Sequence, residues 1–278
     1  MDRNRARRRR LVGAGLSVLT WVVVLLAVAP LLWLVSTSLK NRVQAFSMPP
    51  AWVFRPTLEN YVEVFQRQEF LRFYGNSFFA SGVSTLLALV IGVPAAYALA
   101  RYRFRGRKNL AFWILSTRMA PPVGVILPFY LLWQRFGLLD TRLGLVLIYA
   151  VANIGLVVWM MRGFFQDLPR ELEESALIDG CTPAGAFYRV ALPLARNGII
   201  ATGVLAFILS WNEFLFALVL TRDAAKTAPV AITNFVTFDG INWGPLAAAG
   251  IVVVLPVFLL ALLSQRYIAR GLTLGAVK

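Results

Sequence analysis

Phe73–Ala100 reads FYGNSFFASGVSTLLALVIGVPAAYALA, a run without one charged side chain. Wound as a helix at about 1.5 Å per residue, it exceeds the roughly 30 Å of a bilayer's hydrocarbon core. Leu11–Leu39, Leu143–Met161 and Gly240–Gln265 are of the same kind. Two more runs join if each is allowed one ionisable residue, Leu110–Gln134 around Arg118 and Asn197–Thr221 around Glu213. The reading is an all-α polytopic membrane protein with six transmembrane helices, over about residues 11–36, 76–99, 110–134, 142–163, 198–220 and 245–267. Composition agrees: 59% of the 278 residues are hydrophobic and 15% charged, more apolar surface than a soluble domain of this size can hide.

The charges lie between the runs and set a direction. With the basic segment 1–10 on the cytoplasmic side, 18 Lys and Arg fall inside and 9 outside, leaving Arg118 in the membrane, so the positive-inside rule predicts that both termini are cytoplasmic. The net charge of +15 is then mostly topological, and no basic domain exists to hold a nucleic acid. Arg3–Arg10 followed by an apolar run resembles a secretory leader with Ala27-Val28-Ala29 as its cleavage site, but the run is too long and continues past Pro30 through Leu31, Leu32 and Trp33. It reads as an uncleaved first span. The absence of His and the presence of Cys181 alone exclude zinc sites, a Cys–His nucleophile and an intrachain disulfide framework. Pro121, Pro122 and Pro128 with Gly124 in one run predict a broken or flexible third helix.

Between the fourth and fifth runs, Arg162–Arg196 holds five of the chain's 13 acids, Asp167, Glu171, Glu173, Glu174 and Asp179. Pro169 suits a first helical turn, the three glutamates favour the positive end of a helix dipole, and Gly180 stands where a left-handed C-terminal residue belongs. The spacing predicts a helix over Pro169–Asp179, then a second start with Thr182 as N-cap and Pro183 in the first turn. This compact helix–turn–helix has a small-residue middle, Ser175-Ala176, that lets another protein's surface approach the backbone. A docking element and a solvated connector are both open at this point.

Glu174-Ser175-Ala176-Leu177-Ile178-Asp179-Gly180, followed by Phe187 and Val190-Ala191-Leu192-Pro193, resembles the EAA signature of permease subunits in binding-protein-dependent ABC importers. Ser175 and Cys181 stand where that signature has alanines. The resemblance extends over nearly the whole chain and points to the carbohydrate-type branch that includes the maltose and glycerol-phosphate permeases. Pro30-Leu31-Leu32-Trp33 with Ser38-Leu39-Lys40, Phe54-Arg55-Pro56-Thr57 with Asn60-Tyr61, Ser210-Trp211-Asn212-Glu213-Phe214 and the ending Gly271–Lys278 follow in the branch's order.

The resemblance implies the type I importer permease fold: a single permease domain over 11–268 with a cytoplasmic coupling loop at 165–196 and a tail at 269–278, in the cell's inner membrane. It also implies that Glu171, Glu174, Ser175, Ala176, Asp179, Gly180 and Phe187 form the ATPase-coupling element. Expected partners are a homologous second permease, an ATPase dimer, an extracytoplasmic solute-binding protein and membrane lipids. The residues agree on energy: no Gly-x-x-x-x-Gly-Lys-[Ser/Thr] loop occurs, so ATP and Mg²⁺ belong to another polypeptide and no cofactor is expected here.

Ionisable residues in a bilayer cost about 2.5–3.5 kcal/mol on insertion scales, so Arg118 and Glu213 need a reason to be there. Counted along straight helices from their cytoplasmic ends, they lie about 12 Å and about 23 Å deep, which predicts separate partners. With Asn153 and Asn212 they are candidates for a translocation pathway in which amides and carboxylates accept a sugar's hydroxyls. The competing reading is helix–helix hydrogen bonding. The outer loops, Lys40–Tyr74 and Arg222–Trp243, suit docking of the binding protein. A secondary transporter or channel is the alternative, though among mid-depth carboxylates only Glu213 serves it. A membrane enzyme lacks paired acids or a metal cluster.

Overall fold

In a computed structural model the chain is described over residues 2–67, 69–238 and 240–273, apart from the side chains of 2–12, 14, 67 and 266–273. The side chains of the N-terminal arginines, Arg266 and Arg270, and the whole of 274–278, therefore lie outside what the structure describes. Two compact units form, 1–68 with 235–252, and 69–234 with 253–278.

In the first unit, α1 (Asp2–Ser38) runs through Pro30 without a break. Its described apolar side chains are exposed along most of its length, Trp21 and Leu26 by 67% and 69%. Its end is tied down by Asn60, whose amide donates to the carbonyls of Ser38 (2.8 Å) and Lys40 (2.7 Å). Lys40 is buried with its ammonium 5.0 Å from the rings of both Trp33 and Phe54. Short helices α2 (Arg42–Ala45) and α3 (Glu59–Arg67) follow. A two-stranded antiparallel ribbon of β1 (Val236–Thr237) and β2 (Gly240–Ile241) leads to α14 (Trp243–Thr273).

The second unit is organised by α4 (Phe70–Arg101) and α7 (Arg142–Asp167), which pack along their length. Gly92 permits the approach: a Cβ there would lie 2.6 Å from Cγ1 of Val157. Small residues at such contacts are how membrane helices gain dispersion energy where lipid removes the hydrophobic drive. One core cluster gathers Tyr97, Val157, Met161, Phe165 and Phe187, and another gathers Trp133, Tyr149, Phe216 and Leu220.

The third run is two helices, α5 (Arg107–Ser116) and α6 (Pro122–Arg135). Pro121 is extended at φ −64°, ψ 126°, and cannot continue α5 because the residue before a proline is pushed out of the helical region. After α7 come α8 (Glu171–Ile178), α9 (Pro183–Ala186), a π-helical turn over Phe187–Ala191, and α10 (Leu192–Leu194). The fifth run is broken as well, which the periodicity did not foretell. It consists of α11 (Arg196–Trp211) and α12 (Leu215–Leu220), followed by α13 (Ala228–Ala231).

Among the described residues four helices are long and apolar enough to cross a membrane: Gly15–Ser38, Phe70–Arg101, Arg142–Asp167 and Trp243–Gln265. A fifth candidate is Pro183–Leu194 with Arg196–Trp211, bent by 72°. The third run is broken at 117–121, as its prolines predict, and the fifth at 212–214.

Candidate functional site

The loop after α7 is built as its residue types demand. α8 begins at Glu171, two residues later than Pro169, because Arg170 occupies the N-cap. It closes with two hydrogen bonds, Cys181 N–H to the Ala176 carbonyl (2.9 Å) and Gly180 N–H to the Leu177 carbonyl (3.1 Å), and Gly180 sits at φ +88°. That left-handed closure is the commonest helix ending and favours glycine. Thr182 then caps α9, its hydroxyl accepting from Gly185 N–H at 3.1 Å.

Glu171, Glu174, Ser175, Asp179 and Gly180 are exposed on one side of α8, and Ala176 is half-buried. Phe187 is placed differently from these. It is buried, with its ring 4.7 Å from that of Tyr97 and 4.8 Å from that of Tyr188, so it anchors the loop inward and does not share the open face.

The polar residues of the broken helices meet in a cavity of about 120 Å³ lined by Arg118, Tyr149, Asn153, Ser210 and Glu213. Arg118 and Glu213 thus border one cavity, and reckoning their depth along straight helices is corrected. The break after Ser116 takes Arg118 off the line of α5, and the break after Trp211 does the same for Glu213. Among the described residues the two form no ion pair. Asn153 is buried and donates to the Ser210 hydroxyl at 2.6 Å, which lies 3.2 Å from the hydroxyl of Ser84. Glu213 turns its carboxylate onto the start of α12, accepting from Phe216 N–H at 3.0 Å. Asn212 is exposed and does not line the cavity.

A larger groove, about 630 Å³ between α4, α11 and α14, is walled by Phe78, Leu89, Phe207 and Leu255, with Tyr74 and Thr85 as its hydroxyls. It offers a polar solute little to bond, so the smaller cavity is the better candidate. The sequence reading missed Tyr149, Ser210 and, beside the loop, Tyr97, Arg101 and Glu173. Tyr97 and Arg101 stand four apart, on one face of α4 at its end, which was the available signal.

Residues 88–274 match the family of binding-protein-dependent transport system inner membrane components. The chain belongs to that family. The permease is 40% identical over 249 residues to a probable ABC transporter permease of Sinorhizobium fredii, covering 90% of each chain. It is 38% identical to a trehalose transport system permease of Mycobacterium tuberculosis, covering 94% of this chain and 96% of that one. Against a solved bacterial ABC transporter that imports the acidic polysaccharide alginate, it superposes with a TM-score of 0.78 at 26% identity, over 94% of this chain and 98% of that one.

The permease also carries a polar knot at the far ends of α4 and α7. Asp140, at φ +55°, accepts from the N–H groups of Arg222, Asp223, Ala224 and Ala225 at 3.0–3.2 Å. Burial opposes its charge, but these four donors hold its carboxyl below the ordinary aspartate value. Asn76 bonds the carbonyls of Ala224 and Lys226 and accepts from Arg142, while Arg72 pairs with Asp223 at 2.9 Å. The loop between α12 and α13 is thereby held against the starts of α4 and α7.

Proposed function

We propose that this permease is the membrane subunit of an ATP-driven importer that passes a carbohydrate or polyol, delivered by an extracytoplasmic solute-binding protein, into the cytoplasm. The observation that carries the reading is the α8 unit: a helix with an open acidic and small-residue face, closed by Gly180 and followed at once by the capped start of α9. Relatives named for trehalose, sulfoquinovosyl glycerol and diacetylchitobiose, at 38%, 36% and 34% identity, support the solute class.

In this reading six membrane crossings, two of them broken, place both termini in the cytoplasm of an inner-membrane protein. The domain runs over 11–268, with its coupling loop at 165–196 and a tail at 269–278. ATP and Mg²⁺ are bound by a separate ATPase dimer, a second homologous permease completes the path, and this chain holds no cofactor. Closure of the ATPases moves α8 through Glu171, Glu174, Ser175, Ala176, Asp179 and Gly180. That movement switches access to a path that includes Arg118, Asn153 and Glu213, whose guanidinium, amide and carboxylate match the donors and acceptors of a hydroxylated solute.

The test is co-purification of the tagged chain, joined to cysteine labelling in a Cys181→Ser background. An importer subunit brings down an ATPase and a second permease, and an impermeant reagent added outside labels Gln66→Cys but not Arg105→Cys. A secondary transporter or channel brings down neither partner, and external labelling of Arg105→Cys overturns the topology.

A further inference from the structure

The acidic stretch of α8 divides by burial. Glu171 and Glu174 are exposed, whereas Glu173 between them is buried. Both oxygens of Glu173 are taken: Oε2 accepts from the Tyr97 hydroxyl at 2.6 Å, and Oε1 from Arg101 Nε at 2.8 Å, with Arg101 Nη2 also 2.6 Å away. The same Nη2 donates to the carbonyl of Leu168, the residue that caps α7, at 3.0 Å. The two charged side chains are only 8% and 11% exposed. This is therefore not one of the solvated surface pairs whose contribution is small. Its members left water, and each is fully engaged only while the other is in place.

Tyr97 joins the pin to the core. Its hydroxyl holds Glu173, while its ring lies 5.3 Å from Phe165 of α7 and 4.7 Å from Phe187 after α9. Four segments, the end of α4, the end of α7, α8 and the turn after α9, thus meet at three side chains.

We infer that Tyr97, Arg101 and Glu173 are positioning residues for coupling: they lock α8 to the ends of α4 and α7, so that a push on the exposed face of α8 moves that helix pair as one lever. The inference rests on the importer reading and adds to it the route by which force leaves the docking helix. Without the pin, α8 would keep its chain link at 168–170 and its packing on the segment 183–191, and it would swing before the membrane helices moved. The ring packing of Tyr97 on Phe165 and Phe187 does not depend on the ion pair, so the complex would assemble but slip.

The experiment uses the complete reconstituted transporter with Glu173→Gln, which keeps shape and loses charge, and Tyr97→Phe, which keeps the ring and loses the hydroxyl. Two quantities are read: assembled complex per membrane, and solute moved per ATP hydrolysed. Glu173→Gln is expected to lower solute per ATP by about tenfold, the step that loss of one member of a desolvated charge pair exceeds, with assembly kept. Tyr97→Phe is expected to fall between it and the parent.

In parallel, spin labels at Leu172→Cys, on the flank of α8, and Arg103→Cys, just past α4, report the lever directly in a Cys181→Ser background. The parent complex should keep one narrow distance with and without nucleotide, and Glu173→Gln should broaden it. Unchanged solute per ATP in both variants, loss confined to the amount of assembled complex, or a parent distance that shifts with nucleotide would each overturn the inference while leaving the importer reading intact. A parent chain that brings down no ATPase would remove both.

Discussion

Replacing Gly180 by alanine separates two reasons for a glycine at the end of the docking helix. Its φ of +88° is the left-handed region, where an L side chain costs about 1–2 kcal/mol, a factor of roughly 5–30 in the population of the closed turn. The space around it is open: beyond its two chain neighbours, a Cβ built there meets no described atom within 4 Å. Within this chain the whole penalty is therefore conformational, and it acts on the closure that Cys181 N–H and Gly180 N–H make with Ala176 and Leu177. Asparagine visits this region far more readily than alanine, although it is larger. If the turn conformation is what coupling needs, Gly180→Ala lowers uptake by the reconstituted transporter by about 5–30-fold and Gly180→Asn by much less. Uptake is measured with the binding protein present and normalised to the ATPase retained on the complex. If asparagine is as damaging as alanine or worse, size at the partner's surface decides, and the conformational reasoning is refuted.

Two further expectations follow from the polar cavity and the Asp140 knot. Glu213→Gln keeps an acceptor for Phe216 N–H and removes only the charge, so uptake should fall with the complex intact; Asn153→Leu removes the amide bond to Ser210, whose hydroxyl keeps Ser84, costs about 0.5–1.5 kcal/mol and should lower the yield of assembled complex instead. Equal transport and equal yield in both would remove the cavity from the path. For Asp140 the folded-state value is lowered, so its contribution is present in full above the unfolded value of about 3.9 and fades as pH falls through the folded value. The stability gap between the parent and Asp140→Asn, followed by thermal unfolding in detergent, should be constant near neutrality and narrow below about pH 4. A gap that does not change between about pH 6 and pH 3 would show that the four donors do not depend on the charge.

What was legible in the sequence is what depends on local pattern. Charge-free length marks α1, α4, α7 and α14, because each must cross the apolar layer alone. Gly180 and Thr182 were readable as closure and cap, since only a few residue types meet those backbone conditions. The break in the third run was readable from Pro121 and Pro122. The break at 212–214 was not, for no proline or glycine marks it: Asn212, Glu213 and Phe214 leave the helix because the Glu213 carboxylate starts α12 anew through Phe216. Glu173 was hidden for a different reason. Three glutamates within four residues look alike as charge, and only the arrival of Tyr97 and Arg101 from a helix more than seventy residues away, with sequence separations of 76 and 72, singles one out.

The two breaks and the two charged residues they carry explain one another. A lipid-facing helix cannot leave backbone groups unpaired, so irregular backbone at membrane depth survives only where it lines a cavity or is buried in protein. The breaks at 117–121 and 212–214 carry Arg118 and Glu213, and both side chains line the same cavity, with Tyr149 donating to the Glu213 carbonyl at 3.4 Å. In the proposed importer, water or solute in that cavity would supply the partners that a continuous helix in lipid would lack and would offset the cost of holding these charges at depth. The same argument accounts for Asn153 pointing into a helix contact at the edge of the cavity: its amide bonds Ser210 on one side and borders the polar space on the other. Straightening either break would return a charge to the lipid side or to an apolar helix packing, so the broken geometry and the polar lining must be kept together or lost together.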